Sequence, residues 1–172
     1  MFRDKSKEGD AMRLAKEILV KNNEAVTIGL LILLAALSPL LRFQLLTGTI
    51  VNGVLIFSVA RFGVKKALIM AAVPSVFACF FGFLPQAFYP AVLFIIASNV
   101  VLIFVFYAFS RYNYWVGVGV GAFLKFVCLF GTLFFLFPKA LLIASYLQIV
   151  TALLGGSIAW CVSRWLKVAK DC

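Results

Sequence analysis

The chain has 172 residues, 65% of them hydrophobic and only 13% charged, with a net charge of +10. So little polar surface excludes a soluble domain of this size and puts most of the chain in a bilayer as one compact domain. The positive charge is what the cytoplasmic flanks of membrane helices carry, and it does not argue for nucleic acid. The apolar runs are long, uninterrupted and too many for a cleaved signal peptide, and they lack the alternation of a membrane β-barrel. Lipid offers the backbone no hydrogen bonds, so the expectation is an all-α membrane protein, a six-transmembrane-helix bundle.

Residues 1–24, "MFRDKSKEGDAMRLAKEILVKNNE", hold six of the sixteen basic and five of the six acidic residues. Met12, Ala15, Ile18 and Leu19 recur at helical spacing among charges. This suggests an amphipathic helix on the membrane surface, with a frayed charged tail as the alternative. Six spans follow within a transmembrane domain at 25–166, with a tail at 167–172. The first span covers 25–41 and breaks at "SPLLRFQ". The second, 46–60, ends at "RFGVKK"; it is short, which suggests a tilted segment or one irregular at its outer end. The third, 67–84, stops at Pro85. The fourth, 90–109, ends at "SRYNY", and the fifth, 115–137, at "PK". The sixth covers 140–163. Most are near the ~20 residues a helix needs to cross the hydrocarbon.

Placing both termini in the cytoplasm puts thirteen of the sixteen basic residues on that side, leaving Arg42 and Lys139 outside and Lys125 in the membrane. That asymmetry sets the expected orientation.

The few polar residues in the spans fall at related depths. Asn52, Asn99, Lys125, Gln148 and Thr151 lie about 9–18 Å below the outer surface at 1.5 Å per residue. Arg42, Gln44 and Thr47 lie just above, in the first outer connector. One reading is a ligand pocket opening outward; the other is hydrogen bonding between helices, which amides and hydroxyls in spans often do. Lys125 sharpens the choice. No Asp or Glu occurs between Glu24 and Asp171, so no carboxylate in the spans can pair with it. It is either a neutral amine, a donor to amides and carbonyls, or the partner of an anionic group on a ligand.

Small residues mark close helix contacts: Ala67, Ala71, Ser75 and Cys79 on span 3, Gly117 and Gly121 on span 5, and Thr151, Gly155 and Ala159 on span 6. Such stripes serve internal packing or, on an outer face, dock another membrane subunit. The four cysteines form no C-x-x-C pair and read as packing residues. With no histidine and few carboxylates, neither a metal site nor a cofactor is expected. No phosphate loop or nucleophile–base pair is present, so the chain is not expected to be an enzyme.

Four segments together, "QLLTGTIVNGVLI", "IASNVVLIFVFYAF", "GAFLKFVCLF" and "SYLQIVTALLGGSIA", resemble the substrate-binding S components of energy-coupling factor (ECF) transporters. The nearest likeness is the small bacterial subgroup of poorly defined substrates, and it extends over about residues 25–165. The resemblance implies a six-helix subunit of a bacterial plasma membrane that captures a vitamin or similar micronutrient from outside. It also implies a transmembrane coupling protein and two cytoplasmic ATPases as partners. Carried onto this chain, the family's outer pocket points to Gln44, Thr47, Asn99, Lys125 and Gln148. Asn52 and Thr151 join these candidates on depth. Family members often dock the coupling protein through an A-x-x-x-A motif on helix 1. Span 1 here, "GLLILLAALSPLL", lacks a strict copy, whereas Ala67 and Ala71, followed by Ser75, match the spacing on span 3. The alternatives are a structural membrane protein of cell-envelope assembly and an independent secondary transporter. The missing intramembrane carboxylates argue against proton coupling in the latter.

Overall fold

A computed structural model describes residues 22–83, 89–136 and 140–171; side chains at 132, 133, 135, 136, 140–144 and 167–171 are excepted. The amphipathic helix expected in 1–24 lies almost wholly outside the described residues. The chain divides into two compact units, 1–33 and 34–172. In the first, residues 22–33 are helical, with the Thr27 hydroxyl donating to the Asn23 carbonyl at 2.8 Å. This helix, α1, runs over 22–37.

The second unit contains a 3-10 turn, Ser38–Leu41, and helices α2 (Gln44–Phe62), α3 (Val64–Phe80), α4 (Tyr89–Phe109), α5 (Tyr114–Leu136) and α6 (Ala140–Asp171). No strand occurs among the described residues. Among the described residues, five helical segments are long and apolar enough to cross a membrane: Asn22–Leu41, Gln44–Phe62, Tyr89–Phe109, Tyr114–Gly131 and Ser145–Leu166. The chain is therefore a multi-pass helical membrane protein. At 17 residues, α3 is shorter, about 26 Å, and carries Pro74 in its interior.

Each helix ends where the backbone demands it. The α2–α3 connection is one residue, Gly63, at φ 85° and ψ 173°. That region is open almost only to glycine, and its N–H still closes α2 on the Val59 carbonyl at 3.1 Å. The α4–α5 corner uses Asn113, whose Oδ1 accepts from the Trp115 N–H at 2.8 Å, the cap that a helix N-terminus lacks in its own backbone. The 3-10 turn is tied to α2 by the Thr47 hydroxyl, which donates to the Ser38 carbonyl at 2.9 Å.

Two sequence expectations need correction. The second span is neither short nor irregular: α2 is continuous over 19 residues, because Gln44 and Thr47 are accommodated in its first turn and Arg61 in its last. The third span begins earlier, at Val64. Lys65 and Lys66 occupy its first turn, where long side chains reach the interface.

The core is organised around α2. Residues 51–59 are buried without a break, the signature of a helix enclosed on all sides. It packs on α3, α4 and α6, most extensively on α6; α4 packs on α5, and α5 on α6. The α2–α6 contact is close because both helices present glycine. A Cβ added at Gly155 would lie 2.6 Å from the Gly53 nitrogen and 2.7 Å from the Thr49 carbonyl oxygen. Close approach through small residues is how membrane helices gain packing energy, since lipid tails give them no hydrophobic drive to associate.

Candidate functional site

Five helices converge on one buried polar cluster. Asn52 on α2, Asn99 on α4, Lys125 on α5 and Thr151 on α6 are all at most 2% exposed. The glycine contact determines part of this arrangement. With α6 held against Gly53, Thr151 lies one turn before Gly155 and meets α2 at Gly48, where a Cβ would come 2.9 Å from the Thr151 Cγ2. The neighbouring Asn52 Nδ2 then donates to the Thr151 Oγ1 at 3.0 Å. On the other side, small Ala71 lets α3 approach α4, and the Asn99 Nδ2 donates to the Ala71 carbonyl at 3.1 Å.

These two amides present their oxygens to the same point. Lys125 Nζ donates to Asn52 Oδ1 at 2.5 Å and to Asn99 Oδ1 at 2.7 Å. The bonds form two ordered arms. One runs from Lys125 Nζ through Asn52 to the Thr151 hydroxyl, which donates in turn to the Gln148 carbonyl at 3.1 Å. The other runs through Asn99 to the Ala71 carbonyl. Both arms end on a backbone oxygen that only accepts. Each amide is fixed in one orientation by having its NH2 and its oxygen engaged at once.

Of the roles open to Lys125, the structure shows the donor: Nζ gives hydrogen bonds to two amide oxygens, a geometry open to the amine and the ammonium alike. No carboxylate neutralises this group, so when protonated it sets the field of a cation inside apolar surroundings. Donors and acceptors in that field can bind and orient a polar or anionic group. Proton transfer by a carboxylate or histidine is not available to this set of side chains. Among the described residues no group of side chains could hold a metal ion. Cys79 and Cys161 are free thiols.

The other candidates lie elsewhere. Gln148 is half-buried and joins the cluster through its backbone carbonyl. Thr47 spends its hydroxyl on the 3-10 turn. Gln44 is exposed at the start of α2. Ala67, Ala71 and Ser75, expected as a docking stripe, face inward: Ala67 and Ala71 are 0% exposed and Ser75 9%. This is a correction. Of the two uses open to such a stripe, internal packing and docking on an outer face, it is the first that these residues serve, and Ala71 is part of the cluster itself.

One participant, and one buried hydroxyl outside the hydrogen-bonded cluster, carry no clear signal in the sequence. The Ala71 carbonyl is a backbone group and carries no residue-type signal. Thr49 is buried, and its Oγ1 has no hydrogen-bond partner among the described residues; the only hint was its place in "TGT" beside the polar depth.

No family model, no curated protein and no solved structure matches this chain.

Proposed function

We propose that the chain is the substrate-capture subunit of an ECF-type importer, with both termini in the cytoplasm of a bacterial cell and its ligand taken from outside. The observation that carries this reading is the buried Lys125 Nζ held by amides from two helices, at a layer reached by α2, α4, α5 and α6. An ammonium has three hydrogens, and Asn52 and Asn99 take two of them. The third would meet an anionic or strongly electronegative group of a vitamin-like ligand. Thirteen of sixteen basic residues on one side support the orientation, and the four short segments that resemble S components support the family. With no phosphate loop in the chain, uphill uptake needs partner ATPases, coupled through a membrane protein.

The docking face is not the Ala67–Ser75 stripe. In this reading the coupling protein meets some other part of the bundle's exterior.

A second reading has its own support. Both arms of the cluster are closed by internal hydrogen bonds, which also suits a structural membrane protein whose polar layer binds nothing. Co-expression with a coupling protein and two ATPases separates the two. The capture reading expects a stable complex, ATP-dependent uptake of a micronutrient, and a rise in unfolding temperature with that compound. A chain that neither assembles with such partners nor is stabilised by any member of a vitamin panel would leave the structural reading standing.

A further inference from the structure

The polar layer has unlike surroundings on its two sides. Toward the end of the bundle that holds the Gly63 corner and the Asn113 cap, the next helical turn is sealed on every helix that builds the layer. Asn52 is followed there by Leu55 and Ile56, and Asn99 by Leu102 and Ile103, all at most 1% exposed. On α5 the same turn is Gly121 and Ala122. Ala122 is 1% exposed, and a Cβ at Gly121 would lie 3.0 Å from the Leu102 Cδ1. On α6 it is Gly155, seated on the backbone of α2. Packing this close opens only if whole helices part.

Toward the other end, where α2, α4 and α6 begin and α5 finishes, the cover is thin. One turn from the layer, Gly48 on α2, Ile95 on α4 and Gln148 on α6 are each only partly buried. Thr49 is buried one turn before Asn52, with a hydroxyl that has no hydrogen-bond partner among the described residues. Such a group costs free energy where it stands, and a polar solute arriving from this end would meet it before Asn52. The one large side chain buried on this side is Leu129, 3% exposed and one turn beyond Lys125 on α5. It packs on Ala91, with Ile95 against the pair. Residues four apart share a helix face, so Leu129 and Ile95 stand one turn above the Lys125–Asn99 bond. Ala91 offers Leu129 only a methyl group, so displacing this leucine gives up less packing than parting the large side chains on the sealed side.

We propose that Leu129 is the closure over Lys125: packed on Ala91 and Ile95 it seals the polar layer at rest, and its displacement opens the layer toward the end where α2 begins. This deepens the capture reading and rests on it for its purpose, since a ligand would pass Leu129 to reach Lys125. The closure itself is tested without a ligand.

The test is thiol labelling of the layer in the full chain, in mild detergent, with methyl methanethiosulfonate as the probe. Cys79, Cys128, Cys161 and Cys172 are replaced by alanine, and Thr151→Cys is the reporter. Asn99→Cys on α4 serves as a second reporter if the first does not fold by circular dichroism. Leu129→Ala should raise the labelling rate about tenfold, whereas Leu102→Ala, the same truncation on the sealed side, should leave it within about twofold. Equal acceleration by the two truncations would show a general loosening of the bundle and overturn the proposal. An unchanged rate in Leu129→Ala would overturn it too, as would acceleration by Leu102→Ala alone. No ligand or partner enters the assay, so the closure can fail while the capture reading stands, and the reverse.

Discussion

The polar layer and the end of the bundle where α4 meets α5 both hold basic side chains without carboxylates, and they do so in opposite ways. Lys125 ends in a compact amine whose donors are directional, and it is met by amide oxygens at 2.5 and 2.7 Å. Arg111 and Arg164 lie over the Tyr107 and Trp160 rings at 4.5 and 4.4 Å, and both are exposed. Depth explains the difference. In the bundle interior an unmet donor costs several kcal/mol, on the order of 2–7, so the bonds of Lys125, Asn52 and Asn99 are aimed. At the interface, water and headgroups satisfy what the protein does not, and a weakly hydrated guanidinium gains from a ring face. Interior substitutions should therefore act on stability far more than those of the exposed arginines.

The largest effect should come from breaking one arm of the layer. Asn52→Leu keeps the volume roughly but removes an acceptor from Lys125 and the donor to Thr151. Stability should fall by about 3–5 kcal/mol, read as a lower unfolding temperature in mild detergent. Combining Asn52→Leu and Asn99→Leu with Lys125→Met removes donor and acceptors together and should recover most of that loss. If the triple variant is as unstable as the single one, the cluster is not acting as one unit.

Next comes the contact that aligns the arms. Gly155→Ala drives a Cβ into two backbone atoms of α2, at 2.6 and 2.7 Å, neither of which can rotate away. A loss of about 3 kcal/mol is expected. Gly119→Ala, with nothing within 4 Å of its Cβ, should be neutral or slightly stabilising through helix propensity. Equal effects at the two glycines would mean that α6 is not seated on α2 as described.

Gly63→Ala should cost about 2 kcal/mol through backbone strain alone, since a Cβ there meets no neighbour. Gly63→Asn should do no better than alanine, because ψ of 173° lies far from the left-handed region that asparagine tolerates. The smallest effect on stability is expected from Arg111→Gln. Its unfolding midpoint should match the wild type.

Much of the helical layout was legible in advance. The breaks at "SPLLRFQ", "RFGVKK" and "SRYNY" became the 3-10 turn, the Gly63 corner and the Asn113 cap. Turn residues and caps act locally, so a single sequence carries them. The depth of the polar residues was also readable, because rise per residue is constant in a helix. The direction in which each side chain points around its helix was not. Gln148 and Thr151 are three residues apart and looked interchangeable by depth, yet Thr151 supplies its hydroxyl to the cluster while Gln148 supplies a backbone oxygen. The same limit misplaced Ala67, Ala71 and Ser75. Small-residue spacing shows that a helix face is approached closely, but an inner and an outer face have the same spacing.

From the sequence alone came a membrane protein of helical spans and a lysine without any intramembrane carboxylate. Both are consequences of composition and of the cost of an unsatisfied backbone in lipid, and neither depends on how the helices meet. Only the tertiary structure decided what the lysine faces. Asn52 and Asn99 are 47 residues apart in the chain, and the spans around them are apolar enough to permit many rotations. The backbone approach of Gly53 to Gly155 and the Asn99 side-chain bond to the Ala71 carbonyl select the one rotation that turns both amide oxygens onto the same nitrogen. That selection is made by steric contact between distant segments, which no local pattern encodes.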